Sequence, residues 1–137
     1  MDFIHLKYGC NPYQNNAMIY FPNNKLFKIL NGNPGYINIL DAINSWYLVS
    51  EIKHSIDKTA ASSFKHTSPA GVSIGDTVLD AYKNARECDP KSSFGDFISV
   101  NGNVTKELAG YIKTKVTDGI IAPSYDSDAL EILKQKK

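Results

Sequence analysis

The chain has 137 residues, enough for one domain that buries about two thirds of the surface its unfolded form exposes. Fifteen Lys and Arg stand against 14 Asp and Glu, so a net charge of +1 supplies no general field to hold nucleic acid or an anionic membrane. No apolar run approaches the length of a spanning helix, and Met1-Asp2-Phe3-Ile4-His5 lacks the regions of a signal peptide, so a cytoplasmic protein is expected.

The two cysteines, Cys10 and Cys88, form no CxxC pair, and His5, His54 and His66 show no metal-ligand spacing. A zinc site of protein ligands is therefore not expected. Cys88 follows a helical pattern and reads as a buried or half-buried thiol, while Cys10 falls in a loop.

Lys7 to Asn16 is a polar loop with a glycine, a proline and two tyrosines. Met18–Phe21 and Leu26–Leu30 flank Pro22-Asn23-Asn24-Lys25 and read as the two strands of a β-hairpin. Asn31-Gly32-Asn33-Pro34-Gly35 ends it. From Asn38 the period becomes 3.6: Ile39, Ala42, Ile43, Trp46, Val49, Ile52 and Ile56 form one stripe, with Asn38 as N-cap and Asp41 at the third helical position. Trp46 on that stripe reads as core.

Ala60–Phe64 is an apolar strand that runs into Lys65-His66-Thr67-Ser68-Pro69-Ala70-Gly71. Two readings of this segment stay open: a strand end delivering side chains into a site, or a strand followed by a Ser-Pro turn with a solvated lysine. As a turn, Ser68 to Gly71 would offer backbone amides to an anion. Asp76 or Thr77 caps a helix with Val78, Leu79, Ala81, Tyr82 and Ala85 inward, and Pro90 stops it. Ser92–Val100 is a strand opening on Gly95 and Asp96. Thr105 begins a helix with Leu108, Ala109, Ile112 and Val116 inward. Asp118–Pro123 is a strand, and Ser127 caps a last helix through Leu130 and Leu133. The alternation predicts an α/β fold with a mostly parallel sheet, helices on its faces and the N-terminal hairpin as an antiparallel edge. The final helix has no closing strand after it, so the expected single domain, 1–137, reads as incomplete at its C-terminus.

Three segments place small and reactive residues at strand edges: Lys65 to Gly71, Ser92 to Asp96, and Thr117 to Gly119. A lysine handles protons near neutral pH when desolvation or a neighbouring cation depresses its pKa, and His66 is such a neighbour. Adjacent strand residues point to opposite faces, so Lys65 and His66 can share a site only where the strand ends. Taken alone, Gly95 reads first as a place of close packing, and Asp118 as a turn or cap residue.

Five motifs occur in order: Lys7-Tyr8-Gly9-x-Asn11-Pro12-x-Gln14; Leu30-Asn31-Gly32-x-Pro34-Gly35-Tyr36-Ile37-Asn38; Ser63-Phe64-Lys65-His66-x-Ser68-Pro69-Ala70-Gly71; Ser92-Ser93-Phe94-Gly95-Asp96-Phe97; and Asp118-Gly119-Ile120-Ile121-Ala122-Pro123. Together they resemble the AICAR transformylase family over nearly the whole chain. The resemblance implies the first cytidine deaminase-like subdomain of such an enzyme, a three-layer α/β unit, without the cyclohydrolase domain and without the second transformylase half. It implies formyl transfer from 10-formyltetrahydrofolate to the 5-amino group of AICAR, giving FAICAR in purine biosynthesis, in a homodimer that also accepts a monovalent cation. By matching positions, His66 would engage the carboxamide and take the amine proton, and Lys65 would assist the formyl oxygen or the departing folate nitrogen. Lys7 and Tyr8 would meet the phosphate end, with Asn38, Ser68, Gly95 and Asp118 also binding substrate. Lys7 stands where the family commonly has arginine, which turns a bidentate clamp into a point charge. A non-catalytic nucleotide-binding or oligomerisation domain is the alternative.

Overall fold

A computed structural model describes residues 2–23 and 26–136. Its backbone forms two compact units, Met1–Leu40 and Asp41–Lys137. Among the described residues no helix is long and apolar enough to cross a membrane.

In the first unit β1 (Asp2–His5) pairs antiparallel with β2 (Met18–Phe21), with Phe3 opposite Tyr20 and His5 opposite Met18. This corrects the expected hairpin. β2 closes back across the Lys7–Asn16 loop, while residues 26–30 form no strand, and Asn24 and Lys25 of the expected turn lie outside the described residues. The loop is cross-braced by Gly9 N–H to the Gln14 carbonyl, 2.9 Å, and β1 is continued by Leu6 N–H to the Ala17 carbonyl, 2.9 Å. The ring of Phe3 packs on that of Tyr20 at 5.2 Å between centroids, which joins the two short strands as a cross-strand aromatic pair.

Helix α1 runs Tyr36–Ile56. It starts two residues before Asn38, which is not its N-cap: the Gly35 N–H donates to Asn38 Oδ1 at 3.0 Å while Ile39 N–H reaches the Gly35 carbonyl. Gly35 takes the cap position, and Asn38, in the third helical position, reaches back to it as the acidic member of a capping box does. Ile39, Ala42 and Val49 of the stripe are buried, Trp46 is half-buried, and Ile56 is exposed at the C-terminal end. Asp57 ends the helix in the left-handed region, φ 51°.

The second unit holds a four-stranded sheet in the order β4-β3-β5-β6. β3 (Ala60–Lys65) is antiparallel to both β4 (Ser68–Ile74) and β5 (Asp96–Val100), and β5 is parallel only to β6 (Thr117–Ile121). The sheet is therefore mixed, and the expectation of a mostly parallel one is corrected. The cause is local. The segment read as a Ser-Pro turn returns at once as β4, along the edge of β3, where a proline costs no interior ladder bond.

Helices α2 (Val78–Glu87), α3 (Lys106–Lys113) and α4 (Ser127–Lys134) complete the unit. Thr77 Oγ1 caps α2 by accepting from Asp80 N–H, and Thr105 Oγ1 caps α3 by accepting from Leu108 N–H. Asp126, not Ser127, occupies the N-cap of α4. One face of the sheet packs Ala61, Ile98 and Val100 against Val78, Ala81 and Tyr82 of α2 and Leu108 and Ile112 of α3. The other face packs Phe64 and Phe97 on Ala42 of α1, and Ser99 Oγ donates to the Ser45 carbonyl at 3.0 Å. A Cβ at Gly71 would collide with the Ala85 carbonyl and lie 2.8 Å from Cys88 Cβ, so this glycine is what lets α2 lie on the β3–β4 hairpin. Val116, expected inward, is exposed beyond the end of α3. Cys88, also expected inward, caps the C-terminus of α2 and is exposed, as is Cys10.

Candidate functional site

The site begins where β3 ends. Lys65 and Ser68 are opposite partners, so His66 and Thr67 form a two-residue hairpin turn. A two-residue turn of type I′ needs positive φ at both central positions, usually supplied by Asn or Gly. Here His66 has φ 54° and Thr67 φ 63°. The ladder also slips between Ser63 and Phe64, which face Gly71 and Pro69, leaving Ala70 as a bulge. Bulges beside strand ends re-aim side chains and twist the edge away.

Lys65 is half-buried, and its ammonium donates to the Phe94 carbonyl. The next residue, Gly95, has φ 73°, and a Cβ there would sit 3.2 Å from Lys65 Nζ. Glycine is needed at 95 for that backbone, and a side chain there would press on the Lys65 ammonium. An open cleft of about 530 Å³ is lined by Lys65, His66, Ser68, Pro69, Ala70, Asp89, Lys91 and Ser92. Two lysines against one aspartate give it a cationic wall. Phe94, 60% exposed, stands next to the carbonyl that holds Lys65.

Behind the turn, Asp41 of α1 is buried and its Oδ1 accepts the Thr67 N–H at 2.7 Å. Burial raises its carboxyl above the usual aspartate range, opposed by the Thr67 hydrogen bond; the negative charge of Asp118 adds to the rise and His66 opposes it. Asp118 and His66 thus each lie within electrostatic reach of Asp41. On the α2 face a second buried cluster lies under the strand end. Asp96 accepts from Ser63 Oγ at 2.6 Å, from Tyr82 Oη at 2.8 Å and from Arg86 Nη1 at 3.1 Å, and Ser63 Oγ also reaches Ser93 Oγ at 2.8 Å. Burial raises the Asp96 carboxyl and drives the Tyr82 phenol far above its ordinary value.

Of the residues singled out from the sequence, Lys65, His66 and Ser68 share the cleft, Gly95 meets Lys65, and Asp118 is coupled to Asp41. Lys65 and His66 meet because they sit at a strand end, as their alternation requires. The reading of Ser68 to Gly71 as an amide-presenting turn is overturned, since all four belong to β4. Lys7, Tyr8 and Asn38 group together in the first unit around Pro34 and Gly35. Lys7 N–H donates to the Pro34 carbonyl at 2.9 Å, Tyr36 N–H to the Tyr8 carbonyl at 3.1 Å, and the Tyr8 ring would be 3.2 Å from a Cβ at Gly35. Asp41, Asp89 and Lys91 were not selected from the sequence. Asp41 carried a signal: it is an acid set between Ile39 and Ala42 of an inward stripe.

The family model described as AICARFT/IMPCHase bienzyme matches residues 2–137. Among curated proteins, the chain is 38% identical over 133 residues to the bifunctional purine biosynthesis protein PurH of Elusimicrobium minutum, strain Pei191, covering 96% of this chain and 25% of that protein. It is 41% identical over 139 residues to the protein of the same name from Clostridium botulinum, strain Hall, covering 96% of this chain and 27% of that protein. The chain thus spans about a quarter of the length of these relatives.

Proposed function

The chain belongs to the AICARFT/IMPCHase bienzyme family, and from that premise we propose that it carries the proton-handling half of a formyl-transfer site within a cytidine deaminase-like subdomain. The substrates are AICAR and 10-formyltetrahydrofolate, and the setting is purine biosynthesis in the cytoplasm. The observation that carries the reading is the joint presence of Lys65 and His66 on one open cationic cleft, with Lys65 held by the Phe94 carbonyl.

The 5-amino group of AICAR is a weak nucleophile, because its lone pair is delocalised into the imidazole and carboxamide. Attack on the formyl carbon needs a base for the amine proton and a donor for the developing oxyanion. In this proposal His66 takes the amine proton as the new C–N bond forms. The Lys65 ammonium, with donors left after its bond to Phe94, faces the oxyanion. The bond from carbon to the folate N10 then breaks, Lys65 supplies a proton to that nitrogen, and the proton on His66 returns to Lys65. The products are FAICAR and tetrahydrofolate, with atoms and charge in balance. Lys7 and Tyr8 would hold the phosphate, and Asn38, Ser68, Gly95 and Asp118 the remainder of the ribotide. The rest of the folate site and a second copy of the chain would come from the complete protein.

Substituting this chain for the matched segment of the Clostridium botulinum protein tests the proposal. The hybrid is expected to form FAICAR, and Lys65→Ala or His66→Ala to lower kcat by about 10²- to 10⁴-fold. A folded hybrid without turnover, or full turnover after Lys65→Ala, would overturn it. Saturable AICAR binding without transfer would instead favour a binding domain.

A further inference from the structure

His66 is presented by a backbone that neither it nor its neighbour favours. Non-glycine residues in the left-handed region are strained and persist only where the surroundings over-determine them. Thr67 is the extreme case, since β-branched residues at positive φ are true outliers. Two interactions hold the turn: Thr67 Oγ1 donates to the His66 carbonyl at 2.6 Å, and Thr67 N–H donates to Asp41 Oδ1 at 2.7 Å. The first is local to the turn. The second ties it to a helix on one face of the sheet, through a side chain only 5% exposed.

We propose that Asp41 is the positioning residue for His66: its carboxyl, fixed in α1, grips the Thr67 amide and locks the two-residue turn that aims the imidazole into the cleft. The catalytic importance of this grip rests on the formyl-transfer reading, but the grip itself does not. Asp41 touches no reacting atom in this role. The charged groups facing it are Asp118 of β6 and His66 of the turn. His66 attracts the carboxylate and Asp118 repels it.

Two measurements separate the grip from the chemistry. In the 137-residue chain, the Thr67 amide is expected to exchange with solvent as slowly as the strand amides, and its nitrogen shift to follow the ionisation of a single carboxyl above the usual aspartate range. Asp41→Asn retains an acceptor oxygen, so slow exchange should survive while the pH response disappears. Asp41→Ala should abolish both with the strand amides unchanged. In the hybrid enzyme, Asp41→Ala should lower kcat on the order of 10²-fold through misplacement of His66, with KM for AICAR little changed. Asp41→Asn should recover most of that loss. A fast-exchanging Thr67 amide in the unaltered chain, or one indifferent to Asp41→Ala, overturns the grip whatever the enzyme does. Normal kcat after Asp41→Ala overturns the positioning role. An inactive unaltered hybrid together with a protected amide overturns the formyl-transfer reading while leaving the grip intact.

Discussion

Thr67 holds a conformation that its own chemistry resists, which makes the turn a place where function and stability pull apart. Glycine at 67 would adopt φ 63° without a Cβ clash, at the cost of extra freedom in the unfolded chain and loss of the Oγ1 bond to the His66 carbonyl. The strain outweighs that cost, so Thr67→Gly is expected to raise stability by about 1 kcal/mol, read as a higher urea midpoint at unchanged m-value. The opposite sign would mean that the hydroxyl and the Asp41 bond relieve the strain entirely. The chemistry of Lys65 and His66 is legible in the sequence because the residue types state it. The turn that presents them is not, since no Asn-Gly or Asp-Gly pair marks it. Tertiary contacts substitute for turn propensity, and those contacts come from residue 41, far away in sequence.

Helix α2 shows the same division between what local pattern states and what packing decides. Its cap and apolar face follow from Thr77 and the spacing of Val78, Ala81, Tyr82 and Ala85. The ion pair beneath it does not. Arg86 and Asp96 are ten residues apart, across a helix end and a turn, and both are buried with an Nη1 to Oδ1 distance of 3.1 Å. Asp96→Ala would leave the guanidinium uncompensated and the Tyr82 and Ser63 hydroxyls without their acceptor, and is expected to cost about 3–5 kcal/mol in chemical denaturation. The exposed Lys53–Asp57 pair gives the contrast: Lys53→Ala should leave the midpoint nearly where it is, because solvent screens that bond. A small loss on Asp96→Ala would mean that Arg86 escapes to water. Strand pairing was the least legible part of the fold. β2 fits either neighbour by composition, and its pairing with β1 depends on braces across the Lys7–Asn16 loop. β4 was hidden because Pro69 and Gly71 signal turns everywhere except on an edge strand packed under a helix.

For the whole chain, buried carboxyls set how stability responds to pH. Asp41 and Asp96 both have carboxyl pKa values raised by burial, so the folded state holds their protons over a range where the unfolded chain has released them. Where the folded state binds more protons, stability falls as pH rises. The contribution of each is therefore greatest below the ordinary aspartate value and is lost as pH rises through the raised folded value. Asp57 and Asp89, lowered chiefly by their hydrogen bonds to Lys53 and Ser92, act with the opposite sign, but both are at the surface, where screening weakens them. Their effects cancel in a comparison of variants. Asp41→Asn should track the unaltered chain at pH 3, where both side chains are largely neutral, become more stable than it as pH rises from the ordinary aspartate value through the raised folded value, and hold a constant lead above that. A series of urea unfolding curves from pH 3 to 7 reads the difference directly. A gap that stays constant over that whole range, or that closes in favour of the aspartate, would show that the Thr67 amide and His66 compensate the buried charge in full. An opening gap means the molecule keeps an ionisable group at 41 at a cost to its own stability, which a neutral asparagine with the same hydrogen bond would avoid.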